Sequence, residues 1–142
     1  MTSTTIEPTG DQLRAFAAGA AGIAPITMLN LLRYRAQADY GPHASEAACT
    51  GREAYGRYAE AVAACLAAVG ARVVFAGAAA DSLIGPPDER WDDVLLVEYP
   101  SGQALLTMLG SPQYRAIGHH RQAALADSRL VPLRGGQPSF QR

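Results

Sequence analysis

Cysteine, charge imbalance and long apolar runs are all scarce in this sequence, and each shortage excludes a class of protein. Only two cysteines, Cys49 and Cys65, occur among 142 residues. Two thiols do not make a disulfide framework. Both are expected to be reduced and structural, Cys65 on an apolar helical face and Cys49 just before that helix. Basic and acidic residues nearly cancel, 12 against 13, for a net charge of −1. A nucleic-acid binder needs a basic excess to neutralise phosphates, and a polybasic membrane anchor needs one too. Neither partner is expected. No run approaches the roughly 18 unbroken apolar residues of a membrane span. The opening MTSTTIEPTGDQ lacks the basic segment of a secretory signal, so a cytoplasmic location is the expectation.

Chemical motifs are equally sparse. There is no G-x-G-x-x-G, P-loop or G-x-S-x-G elbow, so no nucleotide cofactor is indicated. His43, His119 and His120 show no H-x-x-x-H spacing and the cysteines no C-x-x-C spacing, so no metal site is read. The expected cofactor list is empty.

What is present is a globular composition, 49% hydrophobic, in a length that suits one domain. Residues 1–8 read as a disordered lead-in, 9–134 as a single domain and 135–142 as a flexible tail. Thr9 and Gln12 fit a capping box, T-x-x-Q, opening a short helix anchored by Leu13 and Phe16. The Gly19 to Gly22 region ends it. Ile26 to Tyr34 (ITMLNLLRY) reads as a strand covered on both faces, because it is almost continuously apolar. Arg35 to Cys49 has no period and reads as a loop. A second capping box, TGRE, begins at Thr50. Tyr55, Tyr58, Val62, Cys65, Leu66 and Val69 then form one helical stripe, stopped by Gly70. Arg72 to Ala79 is a second strand. Leu83 to Pro87 is a strand extension or a turn, and Asp88 to Asp92, with Trp91, a polar connection. Asp93 to Pro100 (DVLLVEYP) is a third strand, apolar on both parities apart from Glu98. Ser101 caps a short helix, and Ser111-Pro112 restarts one that runs to about Ala126. Ser128 to Leu133 is the last strand.

The order after the first helix is βαββαβ, a ferredoxin-like α+β arrangement with an antiparallel four-stranded sheet. Its helices cover one sheet face. The central strands are nevertheless apolar on both faces, and a second copy of the chain is the simplest cover for the other. A homodimer is expected.

The segments MLNLLRY, TGREAYGRYAE, WDDVLLVEYPS and SPQYRAIGHHRQAALADSRL, in this order and at these spacings, resemble the domain-of-unknown-function family 1330, from about Thr9 to Leu133. The resemblance implies a member of the dimeric α+β barrel superfamily, with two copies packed sheet against sheet. That superfamily includes cofactor-free monooxygenases, haem enzymes, isomerases and dehalogenase-type lyases.

Several residues stand out against the apolar pattern. Asn30 and Glu98 interrupt the two central strands, and each needs a partner because a buried polar group without one is costly. They are expected either to floor a pocket or to tie strands together. Tyr55 and Tyr58 share the inner face of the long helix and either wall that pocket with their hydroxyls donating or are ordinary core aromatics whose hydroxyls reach the surface. Tyr114, Ile117, Arg121 and Leu125 form one helical stripe with His120 on its flank. Arg121 calls for a carboxylate partner, Glu98 or a ligand. His120 is a proton shuttle or a satisfied rim residue. His119, about 100° away on the helix, is expected to be exposed. Trp91 closes the pocket mouth or anchors the core or interface. Asp127, near a helix C-terminus, needs a compensating donor.

The combined expectation is a small cofactor-independent enzyme acting by proton transfer (an isomerase, cyclase or lyase) on a hydrophobic or aromatic molecule. Glu98, Arg121 and His120 are its catalytic candidates; Asn30, Tyr55, Tyr58, Trp91 and Tyr114 bind the small-molecule ligand. The alternatives are a non-catalytic binding or interaction domain and a cofactor-free or haem-dependent oxygenase.

Overall fold

A computed structural model describes residues 3–42 and 45–141 of the chain. Four strands, β1 (Ile26–Tyr34), β2 (Arg72–Ala78), β3 (Asp93–Tyr99) and β4 (Leu125–Leu133), form one sheet in the order β2-β3-β1-β4. All neighbouring pairs are antiparallel. With helices α1 (Gly10–Gly19), α2 (Gly51–Ala68), α3 (Gly102–Gly110), α4 (Pro112–Arg115) and α5 (Gly118–Ala124), this is the ferredoxin-like α+β fold with an extra N-terminal helix.

The helices begin where their capping chemistry dictates. Thr9 and Gln12, and again Thr50 and Glu53, exchange side chain and backbone bonds in complete capping boxes. Ser101 and Ser111 accept from Ala104 and Tyr114 at the starts of α3 and α4. Gly51 serves a different need. The first turn of α2 lies so close to the chain that a side chain there would collide with the carbonyls of Arg35 and Ala124. That approach brings α2 down against β1 and α5.

Strand pairing decides which side chains share a face. Met28 faces Val97 and Asn30 faces Leu95, while Thr27 faces Glu98 and Leu29 faces Leu96. Because side chains alternate along a strand, Ile26, Met28, Asn30 and Leu32 lie with Leu95, Val97 and Tyr99 under the helices. Ile26 and Leu32 are fully buried there. Thr27, Leu29 and Leu31 lie with Val94, Leu96 and Glu98 on the other, helix-free face.

Several boundaries depart from the sequence reading. The helix expected from Ser111 to about Ala126 is broken into α4 and α5 around Ala116 and Ile117, and it ends at Ala124. Gly118 follows the break and lowers helix propensity there. β4 begins at Leu125, so Asp127 belongs to a strand and not to a helix terminus. Leu83 to Pro87 is an exposed bend, with Leu83 and Ile84 almost fully in solvent. The lead-in is ordered where it is described. Thr5 donates to Asp127 and accepts from the Ser128 amide at 2.7 Å, running beside β4, while Ile6 packs against the core. Polar residues without period gave no sign of this, because the partners of Thr5 lie 122 and 123 residues away. The tail after Leu133 is exposed and ends in a 3-10 turn, Ser139–Gln141.

Candidate functional site

Between the sheet and the helices lies a cavity of about 1050 Å³. The sheet supplies its floor through Met28, Asn30, Leu95, Val97 and Tyr99. α2 supplies Tyr55, Tyr58 and Val62; α3 to α5 supply Leu105, Met108, Tyr114 and Arg121. The lead-in and α1 close a further wall with Ile6, Leu13 and Phe16. Apolar side chains dominate, and the polar groups gather at the end nearest α4 and α5.

That polar end is built from tyrosines. Tyr58 and Tyr114 share a hydrogen bond, hydroxyl to hydroxyl, of 3.0 Å. Their rings meet edge to face, and the Tyr55 ring lies 5.2 Å from that of Tyr58. Burial pushes the Tyr55 phenol up to about 12, against the pull of the Arg121 charge. Burial also raises Tyr58, helped by neighbouring Tyr114, and Tyr99. Desolvation penalises the phenolate, so these groups remain O–H donors at neutral pH. Asn30 donates from Nδ2 to the Met28 carbonyl at 3.3 Å. Arg121 donates to the Ile6 carbonyl and, at 3.4 Å, to the Ser128 hydroxyl.

Of the residues singled out in the sequence, Asn30, Tyr55, Tyr58, Tyr114 and Arg121 come together here. Glu98 does not. It lies on the helix-free face with Thr27 and pairs with the Arg72 Nε at 3.1 Å. The expected Glu98–Arg121 pair is therefore absent, because the two side chains stand on opposite sides of the sheet. Trp91 is also elsewhere. It lines a shallow hollow with Ala79 to Ser82 and lies 5.1 Å below the Arg129 guanidinium. Asp127 finds the compensating donors it needs in the Thr5 and Ser128 amides and in Arg129. Burial raises its pKa, but those donors outweigh burial and hold it below its usual range.

His120 belongs to a second polar cluster. Its Nδ1 shares a 2.8 Å hydrogen bond with the Tyr40 hydroxyl, which also accepts from Arg57. His119 does not point away from it. The two rings lie 4.1 Å apart, and His119 Nε2 is 3.0 Å from Glu46. The angle on an ideal helix separates the two Cβ directions, but rotation about the side-chain bonds brings the rings back together in this first turn of α5. The hydrogen bond from His119 holds the Glu46 carboxyl below its usual range. Glu46, His119 and His120 offer one ligand atom each within 4.8 Å of one another, the one such metal-competent group among the described residues. An adjacent pair plus a residue 73 positions away leaves no spacing motif to read. The nearby Arg57 guanidinium opposes a divalent cation electrostatically. His43, the third histidine weighed in the sequence, lies outside the described residues. Cys49 and Cys65 are free and buried.

The sequence reading also missed Tyr99 and the N-terminal wall. Tyr99 shares parity with Leu95 and Val97, which was the available signal once the face was known. Glu7 and Ile6 carried none. No helix among the described residues is long and apolar enough to cross a membrane.

A search of curated proteins finds no match. Among solved structures, a Rhodopseudomonas palustris protein of unknown function is 40% identical, with a TM-score of 0.87. The match covers 96% of this chain and 100% of that one. The methylated form of the same protein matches at 39% identity and a TM-score of 0.87, over 97% and 99% of the two chains. An uncharacterised NIPSNAP domain protein from Burkholderia xenovorans shares the fold at 16% identity and a TM-score of 0.51, over 82% and 96%. The family described as a domain of unknown function, DUF1330, matches residues 44–135, more than half of the sequence, and the chain belongs to that family.

Proposed function

We propose that this protein binds a small, mainly apolar organic molecule in the cavity between helices and sheet, with the Tyr58–Tyr114 pair as hydrogen-bond partners for an oxygen on that molecule. The observation that carries the reading is the cavity itself, about 1050 Å³ and apolar except at one end. Ligand sites have this form: a large apolar surface for affinity and a few convergent polar groups for orientation. The pair suits orientation because burial keeps Tyr58 protonated, and each hydroxyl can accept one bond while donating another.

Proton-transfer catalysis on the same molecule, of isomerase, cyclase or lyase type, is the second reading. Its support is the 3.0 Å Tyr58–Tyr114 contact, in which the accepting hydroxyl keeps its own proton free to donate a hydrogen bond to a developing oxyanion. Binding is preferred because the carboxylate assigned as base, Glu98, stands on the other face of the sheet.

The helix-free face completes the proposal. Leu29, Leu31, Val94 and Leu96 form its apolar middle, joined by Phe75 and Val131, which are 53% and 41% exposed. A second copy of the chain, packed sheet to sheet about a two-fold axis, would bury that surface. Light scattering during size exclusion is expected to give twice the 14.9 kDa of one chain; a monomer at micromolar concentration would remove the dimer from the proposal.

The binding reading is tested with the neutral fluorophore N-phenyl-1-naphthylamine. The protein is expected to enhance its emission saturably, with micromolar affinity. Ala63→Trp fills the cavity from α2 and is expected to weaken binding at least tenfold. No enhancement, or enhancement untouched by Ala63→Trp, would overturn the reading.

A further inference from the structure

We infer that the cavity's ligand is a monocarboxylate on an apolar skeleton, and that Arg121 is the anchor for its head group. The inference rests on the cavity being a binding site, and it adds the charge and chemical class of what enters.

Among the described residues, five arginines have a carboxylate partner. Arg14 pairs with Asp11, Arg52 with Asp92, Arg72 with Glu98, and Arg33 and Arg129 share Asp127, while Arg57, outside the cavity lining, bonds the Tyr40 hydroxyl and the Ala47 carbonyl. The Arg14, Arg52 and Arg72 side chains are 63% to 75% exposed, where water screens the charge and a partner contributes little. Arg121 has the reverse circumstances. It is half-buried in the wall of an apolar cavity, where a lone charge is costly. Yet its hydrogen-bond partners among the described residues are neutral, the Ile6 carbonyl and the Ser128 hydroxyl. No carboxylate of the described residues lies within ion-pair distance of it. The neighbouring wall acid, Glu7, is exposed and is bonded instead by Gln122.

A guanidinium carries five N–H donors in a planar fork, and two bonds leave the fork incompletely used. A carboxylate fits such a fork with two parallel bonds. The surroundings set the ligand's charge. One arginine beside protonated tyrosines balances a single negative charge, so a carboxylate matches and a phosphate dianion leaves an excess. Arg121, Tyr55 and Tyr58 all line this cavity, so the guanidinium and the phenols face the same space. The rest of the cavity, lined by Met28, Val62, Val97, Leu105 and Met108, asks for an aliphatic or aromatic body.

The test measures displacement of N-phenyl-1-naphthylamine near neutral pH by decanoate and by methyl decanoate, which share a body and differ in charge. Each is measured on the unaltered protein, Arg121→Gln and Arg121→Lys, with the ratio of the two affinities as readout. Glutamine keeps a neutral donor for the Ile6 carbonyl and so preserves the strap while removing the charge. The unaltered protein is expected to prefer decanoate at least tenfold. Arg121→Gln should bring the ratio close to one, and Arg121→Lys should keep part of the preference. Equal affinity for acid and ester in the unaltered protein, or a preference that survives Arg121→Gln, would overturn the inference and leave Arg121 as a strap for the lead-in. Failure of the fluorophore to bind at all would instead remove the cavity reading on which the inference stands.

Discussion

The two faces of the sheet are built from the same strands, yet they handle polarity in opposite ways. Under the helices, the polar side chains that line the cavity are mostly neutral, Asn30, Ser128 and a set of tyrosines; Arg121 and the exposed Glu7 carry charge there, and Asp93 on the same sheet face is bonded by the Tyr34 hydroxyl. On the helix-free face, Glu98 and Arg72 pair at one side, and Asp127, Arg33 and Arg129 at the other, around an apolar middle. The difference is one of hydration. Charges at a rim keep their water and lose little, whereas a charge inside an apolar cavity is tolerated only with a partner. The comparison teaches that polarity alone did not mark the site. The type of polar group did: uncharged hydroxyls and an arginine without a carboxylate mark the cavity, and self-satisfied ion pairs mark the boundary of a surface.

The contrast is broken most severely by placing a charge in the middle of the open face. Leu96→Asp puts a carboxylate where a second copy would pack, at a cost of several kcal/mol in a buried interface. Light scattering is expected to show loss of the dimer, with cavity binding retained. If Leu96→Asp remains dimeric, the copies meet through another surface.

A smaller effect sharpens the helix face. The Tyr55 pKa in the folded protein, about 12, lies above its ordinary value of 10. Its contribution to stability is complete below pH 10 and is lost as pH rises through the folded value, because the unfolded chain gives up its proton first. Tyr58 and Tyr99 are raised as well and act with the same sign. Stability by urea unfolding is expected to fall above pH 10 by about 1.4 kcal/mol per pH unit for each such tyrosine. Tyr55→Phe should make the fall less steep; an unchanged slope would show that Tyr55 ionises freely in the folded protein.

The smallest effect is expected at the residue that the sequence favoured. Glu98→Gln removes one partner of an ion pair whose arginine is 71% exposed. The change in stability should stay within about 0.5 kcal/mol, and fluorophore binding should not change. A loss of binding in Glu98→Gln would mean that the two faces communicate.

Much of this architecture was legible because it rests on local chemistry. Thr9 with Gln12 and Thr50 with Glu53 marked two helix starts, and β1 was read residue for residue as Ile26 to Tyr34. Asn30, Tyr55, Tyr58, Tyr114 and Arg121 were placed in one pocket by helical and strand periodicity together. Glu98 was misplaced for a definite reason. β3 is apolar at both parities, so its own sequence does not say which face the helices cover; only the register with β1 does. His119 and His120 were separated by assuming ideal helix angles in a segment that is one short helix after a break. The lead-in was read as disordered because its ordering depends on bonds from Thr5 to Asp127 in β4, 122 residues distant, which local sequence pattern does not encode. Tyr40 and Glu46 lay in the aperiodic loop after β1, where no rule assigned them neighbours.

The segment from Thr5 to α1 has a consequence for kinetics. α1 has no buried residue, and this part of the wall is held by the partly buried Ile6 and Phe16 and by a few bonds, among them Ser128 to Thr5 at 2.7 Å and Arg121 to Ile6. A wall held by few contacts is the part that opens first, and it opens far more often than the sheet unfolds. If the cavity takes the proposed ligand, its entry and departure are timed by the lead-in and not by the core. Because Arg121 bonds Ile6 and also lines the cavity, a carboxylate bound there as proposed would link occupancy to closure of the wall.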